Sequence, residues 1–187
     1  MLKQILHRFP GVRLRIRMIR MLLRYRIWGY KSVDASANFL GDCRISKDIV
    51  VGPYSSIGSN AWIGPKVTFG KYVMLAANVT ILGDDHHFNV AGTPVIFSGR
   101  PTVRATLVED DVWIGQNVSI RAGVTVGRGA VIGMGSVLTK NVEPYAIFAG
   151  VPAKKIGMRF EDAASIEKHD QMLERPAELG EYCNSKN

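Results

Sequence analysis

The sequence predicts an all-β chain coiled into a parallel β-helix, and three observations carry this prediction. An aliphatic or aromatic residue recurs at every sixth place, from Val33 to Ile81 and again from Val108 to Leu138. The residue four places later is short or β-branched in almost every unit. Nineteen glycines among 187 residues fit a chain that turns every few residues. An amphipathic helix would show a period of 3.6 and a half-buried strand a period of two, so a period of six indicates hexapeptide coils.

The sequence predicts that residues 1–32 form a basic amphipathic helical arm, with a break near Pro10 and Gly11. Residues 1–33 carry nine Lys and Arg and no acid, so the rest of the chain sums to −1 of the net +8. The arm either packs its apolar side on the body or a neighbouring subunit, or lies on an anionic membrane surface through residues 1–31. An acidic partner is the remaining interpretation, and we predict no nucleic-acid partner.

Residues 33–152 predict the β-helix itself, with three six-residue units in each coil. The unit-opening residues fill the interior and the short residues four places later fit the corners. The unit-opening residues are Val33, Phe39, Ile45, Val51, Ile57, Ile63, Phe69, Leu75, Ile81, Val108, Ile114, Ile120, Val126, Ile132 and Leu138. The spacing from Ile81 to Val108 is not a multiple of six, so residues 83–106 predict a loop extruded from the column. Long loops in compact domains are usually functional or disordered, and this one begins with two acids and two histidines.

Residues 153–187 predict a C-terminal tail with a short helix over 161–174 that covers the open end of the solenoid. His169 is expected on the solvated surface of that helix. The two cysteines form no metal pattern and no disulfide framework, and no apolar run is long enough to span a bilayer. These features predict a cytoplasmic protein, or one peripheral to the inner face of the cytoplasmic membrane.

His86 and His87 are the candidate catalytic residues, because they lie where the column gives way to the loop. A neutral imidazole near pH 7 is a natural general base. The neighbouring carboxylate of Asp85 can hold its tautomer and stabilise its charged form. The residues alone leave open which histidine acts.

Three segments carry a resemblance to a known family: VWIG at 112–115, IGMGSVLTK at 132–140 and AGVPAK at 149–154. Together they are similar to the acetyl-coenzyme A binding half of hexapeptide-repeat acyltransferases. The arm and the AGVPAKKIGMRF ending most resemble polysaccharide O-acetyltransferases of the colanic-acid type, with maltose, galactoside and xenobiotic acetyltransferases close in motif. The resemblance implies a left-handed β-helix, a triangular prism that departs from the usual right-handed crossover. It also implies a homotrimer with coenzyme A in the groove between two prisms.

The resemblance also implies roles for particular residues. His86 matches the family's base, with His87 as the fallback. Trp113 matches a tryptophan of the pantetheine tunnel, and Met134 replaces a smaller residue there. The remaining cofactor-binding residues that it implies are Ser136 along pantetheine, Thr139, Lys140 and Lys154 near the adenine and phosphates, and Lys155 as an assistant. Gly157 stands where the family often has arginine, and Arg159 could supply that phosphate contact.

The predicted function is therefore an acetyl-coenzyme A-dependent O-acetyltransferase acting on a hydroxyl of a sugar or polysaccharide precursor. The alternatives are N-acetylation of an amino sugar and O-acetylation of a small xenobiotic. A metal enzyme like the γ-class carbonic anhydrases is less well supported, because no histidine lies between His87 and His169, and no metal is expected. A non-catalytic scaffold is the last alternative. No residue of the loop identifies the acceptor.

Overall fold

The computed structural model describes residues 10–180, which form a parallel β-helix between two α-helices. Three sheets make its three faces. Sheet A contains β1 (Ser32–Val33), β4 (Val50–Val51), β7 (Val67–Phe69), β10 (Thr106–Val108) and β13 (Thr125–Val126). Sheet B contains β2 (Asn38–Phe39), β5 (Ser56–Ile57), β8 (Met74–Leu75), β11 (Trp113–Ile114), β14 (Val131–Ile132), β16 (Ala146–Ala149) and β17 (Lys154–Met158). Sheet C contains β3 (Arg44–Ile45), β6 (Trp62–Ile63), β9 (Thr80–Leu82), β12 (Ser119–Arg121) and β15 (Val137–Leu138).

Strand pairing confirms the predicted coil of three six-residue units. All the pairs are parallel except β16 with β17. Val50 pairs with Thr68, three units further along the chain, whereas Thr68 pairs with Leu107, more than six units further along. The excess is the extruded segment, which leaves after β9 and returns at β10. It carries one short 3-10 turn, Val95–Phe97.

The six-residue period is explained by which side chains point inward. From Phe39 to Leu138 the unit-opening residues are at most 6% exposed, except Ile45. Ile45 and Val33 lie in the first coil and are half-buried. Each opening residue stacks on its counterpart one coil away, as Ile114 does on Leu75 and Ile132. The prism interior is therefore a continuous apolar core.

The corners of the prism need a left-handed backbone at the fourth place of most units. Asn60, Asn78 and Asn117 adopt it, with φ of 57°, 60° and 59°. Asparagine tolerates this conformation better than most residues. Their amides also form a ladder, since Asn60 donates to Asn78 at 3.3 Å and Asn78 to Asn117 at 2.9 Å. The repeated turn keeps the three sheets in register along the column.

Helix α1 (Pro10–Ile27) closes the first end of the prism with aromatic side chains. Tyr25 is buried and donates its hydroxyl to the Ala37 carbonyl at 3.0 Å. The rings of Tyr25 and Tyr30 lie 5.0 and 5.6 Å from the ring of Phe39. The predicted part of the arm before Pro10 lies outside the described residues. Neither helix in the described part of the chain combines the length and hydropathy of a membrane span.

Helix α2 (Ala163–Glu174) is the predicted short C-terminal helix. Asp162 caps it, because its carboxylate accepts a hydrogen bond from the Ser165 amide at 2.8 Å, a usual N-cap arrangement. Leu173 is its buried residue. The helix lies beside the last coils of the prism, where polar contacts hold it.

Candidate active site

The two adjacent histidines lie where the chain leaves sheet C. Strand β9 ends at Leu82, Gly83 follows with φ of 145°, and Asp84 takes the left-handed corner conformation with φ of 55°. His86 and His87 follow after Asp85, near the start of the extruded loop. The regular column thus delivers both imidazoles to the corner where sheet C would turn into sheet A.

A bidentate ion pair ties the start of this loop to its end. Arg104 donates to Asp84 through Nη2 at 2.7 Å, through Nε at 2.8 Å and through its backbone amide at 3.1 Å. These hydrogen bonds lower the pKa of Asp84 from 3.8 to about 2. The Asp84 side chain is 13% exposed and that of Arg104 52%. We call this pair the loop clamp; because Asp84 is two residues before His86, it limits how far the histidine can move.

Gly123 of the next coil makes room for the clamp. Its φ is 85°, and a Cβ atom there would lie 2.8 Å from the Cβ of Arg104. Its amide also donates to Thr106 Oγ1 at 2.9 Å. Glycine is favoured where the backbone is left-handed and a neighbour approaches closely. The returning end of the loop is therefore seated directly on the prism.

His86 is the more enclosed of the two histidines. It is half-buried, and its Nδ1 atom is fully buried with no hydrogen-bond partner among residues 10–180. Buried polar atoms are nearly always paired, so an unpaired one calls for an explanation such as a catalytic role, local strain or a bound water. Burial of Nδ1 leaves Nε2 as the nitrogen that an incoming hydroxyl could reach. This environment favours His86 over His87 as the reactive group.

His87 is exposed, but its backbone is fixed. Its amide donates to the Gly99 carbonyl at 3.0 Å, and its carbonyl accepts from the Ser98 hydroxyl. Asp85, the predicted partner of the base, is also exposed, and in the described chain it has no hydrogen bond to either imidazole. The carboxylate that organises this part of the loop is Asp84, through the clamp.

Trp113 lies on a different face of the prism. It points outward from β11 in sheet B and is 49% exposed. Met74 and Val131 flank it on the neighbouring strands, in the same outward register. His86 follows a strand of sheet C, so one chain does not bring the predicted base and the predicted tunnel residue onto one face.

Ser136 does not reach the surface. It is 0% exposed, its hydroxyl donates to the Gly133 carbonyl at 2.6 Å, and it accepts from the Gly150 amide at 3.1 Å. In this arrangement the side chain offers a cofactor no accessible surface. Ser136 ties the Gly133 turn to residues 150–153, which bond back to Val137 through Gly150 and Ala153.

The lysines of the C-terminal coils differ in their freedom to bind an anion. Lys140 and Lys154 are exposed and have no ion pair within residues 10–180. Lys155 instead pairs with Glu143 at 2.8 Å and thereby lowers the pKa of that carboxyl. Met134 is 73% exposed and lies at the turn after β14, ahead of these lysines in the chain. Thr139, next to Lys140 in the sequence, is half-buried. The two unpaired lysines are the available point charges at this end.

A network of polar side chains that the sequence pattern does not predict holds α2 on the prism. Arg159 donates to Asp111 at 2.7 Å and to the Gly129 carbonyl at 3.2 Å. His169 lies 3.0 Å from the same Asp111 carboxylate and its side chain is 15% exposed. The prediction of a solvated His169 is therefore wrong, because the helix turns this residue inward. Arg159, the residue suggested for a phosphate contact, already pairs with Asp111 through Nη1, and its side chain is 29% exposed.

Tyr145 and Asp170 complete the network. The Tyr145 hydroxyl donates to Asp170 at 2.5 Å, and Arg128 contacts the same carboxylate at 3.2 Å. Burial raises the pKa of Tyr145 and lowers that of His169. One feature of the sequence indicates that His169 faces inward: it lies four residues before the apolar Leu173, on the same helical face. No three metal-ligating side chains cluster anywhere in the described ranges.

Comparison with known proteins identifies relatives of this chain. Residues 105–140 match the family described as bacterial transferase hexapeptide (six repeats). A probable macrolide acetyltransferase of Lysinibacillus sphaericus is 40% identical over 140 residues, which cover 71% of this chain and 69% of the relative. The galactoside O-acetyltransferase of Escherichia coli K12 is 35% identical over 119 residues, covering 55% of this chain and 56% of that protein. The chain therefore spans only part of each relative's length.

Among solved structures, a maltose O-acetyltransferase from Clostridium difficile 630 superposes with a TM-score of 0.62 at 25% identity. The superposition covers 79% of this chain and 89% of that one. A point mutant of AntD, an N-acyltransferase from Bacillus cereus, in complex with dTDP and coenzyme A has a TM-score of 0.60 at 18% identity over 81% of this chain and 95% of that one. The second likeness shows the shared fold alone.

Proposed function

Because the chain belongs to the hexapeptide-repeat acyltransferase family, we propose that it transfers the acetyl group of acetyl-coenzyme A to a hydroxyl of a sugar or polysaccharide precursor. The observation that carries this proposal is the half-buried His86, whose Nδ1 is enclosed and has no partner among residues 10–180, at the start of a clamped loop. The galactoside and maltose relatives support a sugar as the acceptor.

In the proposed reaction, the imidazole of His86 takes the proton of the acceptor hydroxyl. The acceptor oxygen attacks the thioester carbonyl directly, and the carbon–sulfur bond breaks as the tetrahedral intermediate collapses. The departing thiolate recovers the proton from the imidazolium, so free coenzyme A and the acetyl ester leave. General-base catalysis of this kind contributes roughly 10²–10⁴-fold in rate.

Acetyl-coenzyme A would lie against the outer side of the later coils. Trp113 offers a flat apolar surface for the pantetheine arm, and the exposed Met134 lies one coil later, against Gly115. Lys140 and Lys154 act as point charges for phosphate, a common role of lysine. Lys155 is a weaker candidate because Glu143 already neutralises it.

A complete site requires a second chain. His86 and Trp113 belong to different sheets of one prism, and the loop exposes Phe88, Ile96 and Phe97 at 84%, 72% and 76%. Exposed apolar groups of this size often mark an interface. We propose a homotrimer in which each loop lies on the neighbouring prism, with His86 of one chain facing Trp113 of the next.

The test is acetyl transfer measured as thiol release, with a panel of sugar acceptors. His86→Ala should lower kcat by roughly 10²–10⁴-fold, because the general base is lost. His87→Ala is the matched control, since it removes an exposed imidazole one residue away. Full activity of His86→Ala would refute the assignment. A loss of activity confined to His87→Ala would instead identify His87 as the general base.

A second candidate is O-acetylation of a small xenobiotic, favoured by the 40% identity to a probable macrolide acetyltransferase. The same panel should therefore include a macrolide, and an amino sugar to test N-acetylation. A kcat/KM at least tenfold higher for the macrolide than for every sugar would replace the sugar proposal.

A further inference from the structure

Helix α1 has two opposite sides, and only one of them packs on the prism. Met21 and Tyr25 are 8% and 2% exposed on the packed side. Ile19, Leu23 and Ile27 recur at every fourth place and are 58%, 58% and 82% exposed. At about 100° per residue this row faces away from Tyr25. We call Ile19, Leu23 and Ile27 the outer row.

Basic residues flank the outer row on both sides. Arg20 and Arg26 are exposed, and helical geometry puts them about 60° to either side of the row. Residues 1–33 carry nine Lys and Arg and no acid. Trp28, just past the end of the helix, is 40% exposed. The arm thus combines an apolar stripe, positive margins and a terminal tryptophan.

We propose that the outer row of α1 docks on an anionic lipid surface. Helices that lie in a membrane interface bury an apolar stripe at the headgroup boundary and keep Lys and Arg among the headgroups. Tryptophan is enriched at the same depth. Because Tyr25 and Tyr30 hold α1 across the first end of the prism, that end would face the membrane.

The charge of the arm and its exposed apolar row argue against a second copy of the arm and against a nucleic acid as the partner of the outer row. A second copy of the arm would bring two wholly basic segments together, and like charges repel. A nucleic acid would bind the arginines through its phosphates but leave the apolar row in water. Of these three occupants, only an anionic lipid surface uses both the apolar row and the arginines. In the proposed trimer three arms would meet one surface together and bind more tightly than one.

The experiment is sedimentation of the full-length protein with phosphatidylcholine vesicles, with and without phosphatidylglycerol. The wild type should bind the anionic vesicles and release them as salt shortens the range of the charges. The triple variant Ile19→Ser, Leu23→Ser, Ile27→Ser and the double variant Arg20→Glu, Arg26→Glu should each lose about tenfold or more in affinity. Leu179→Ser and Lys168→Glu, both exposed far along the chain, are the matched controls and should bind as the wild type does.

Several results would overturn the proposal. These are no binding to anionic vesicles, equal binding to neutral ones, or unchanged binding by the triple serine variant. Binding to a DNA duplex instead of vesicles would assign the arm to nucleic acid. Lipid docking is independent of acetyl transfer, so activity on a soluble acceptor should be unchanged in the α1 variants. Lost vesicle binding with retained activity, or the reverse, would separate this proposal from the proposed function.

Discussion

The prism and the extruded loop are stabilised in opposite ways. In the prism, apolar side chains such as Ile57 and Ile114 are at most 1% exposed and stack coil upon coil. In the loop, Phe88, Ile96 and Phe97 are more than 70% exposed, and the segment is held at its base by the pair of Asp84 and Arg104. The prism therefore depends on burial and the loop on a few directed polar contacts.

This difference separates stability from activity. A rigid column with a period of six can hold a corner residue in place without supplying any chemistry. In the proposed function the loop supplies the reactive group, and it needs a polar anchor because it has little apolar core of its own. Substitutions in the prism should act on folding, and substitutions at the clamp should act on turnover.

The largest expected effect is on folding. Ile57→Ala should lower the free energy of unfolding by about 2–5 kcal/mol, because it leaves a cavity in a core that cannot collapse around it. The matched change in the loop, Ile96→Ala, should shift the stability by less than about 0.5 kcal/mol when both variants are unfolded at a protein concentration low enough to dissociate the proposed trimer. Urea denaturation with a tryptophan fluorescence readout measures both. Equal losses for the two variants would show that the loop is packed as tightly as the prism.

The clamp should give a smaller effect that appears in turnover. Asp84→Asn weakens the pair that positions His86, so we expect kcat to fall about tenfold with little change in the KM for acetyl-coenzyme A. Arg100→Ala, an exposed arginine in the same loop, is the control, and Arg104→Lys should restore part of the activity that Arg104→Ala loses. A larger loss of kcat for Asp85→Asn than for Asp84→Asn would identify Asp85 as the carboxylate that positions the histidine.

The clamp also has a pH dependence of definite sign. The pKa of Asp84 is lowered from 3.8 to about 2, so the folded state binds this proton less readily than the unfolded chain. The stability that the pair contributes is fully present above about pH 4 and is lost as the pH falls toward 2. In Asp84→Asn this part of the acid dependence should disappear, which a comparison of acid unfolding curves would detect.

The fold was predictable because its signal repeats. Each inward residue from Phe39 to Leu138 obeys the same spacing, and one loop explains the single break in register. Ser136 follows the same rule, because it occupies the same fifth place as the buried Ser55, Val124 and Ala130. The period therefore already indicated an inward side chain.

The site was only partly predictable. Adjacent histidines after a broken repeat drew attention to His86, but Asp84 and Arg104 lie at opposite ends of a segment without periodicity. Their contact depends on where the loop returns to the prism, which spacing does not encode. The same holds for Asp111, Arg159 and His169, which meet only because α2 folds back on the last coils.

The central claim is that one chain supplies His86 and another supplies Trp113, and a mixed trimer tests it most directly. Chains carrying His86→Ala and chains carrying Trp113→Ala would be co-expressed with different tags, and trimers containing both would be purified and assayed by thiol release. If the site lies between chains, a cyclic trimer with both kinds of chain has a single site with both wild-type residues, so activity should rise to about one third of wild type. If the mixed trimers are no more active than the two parent variants, the shared site is contradicted.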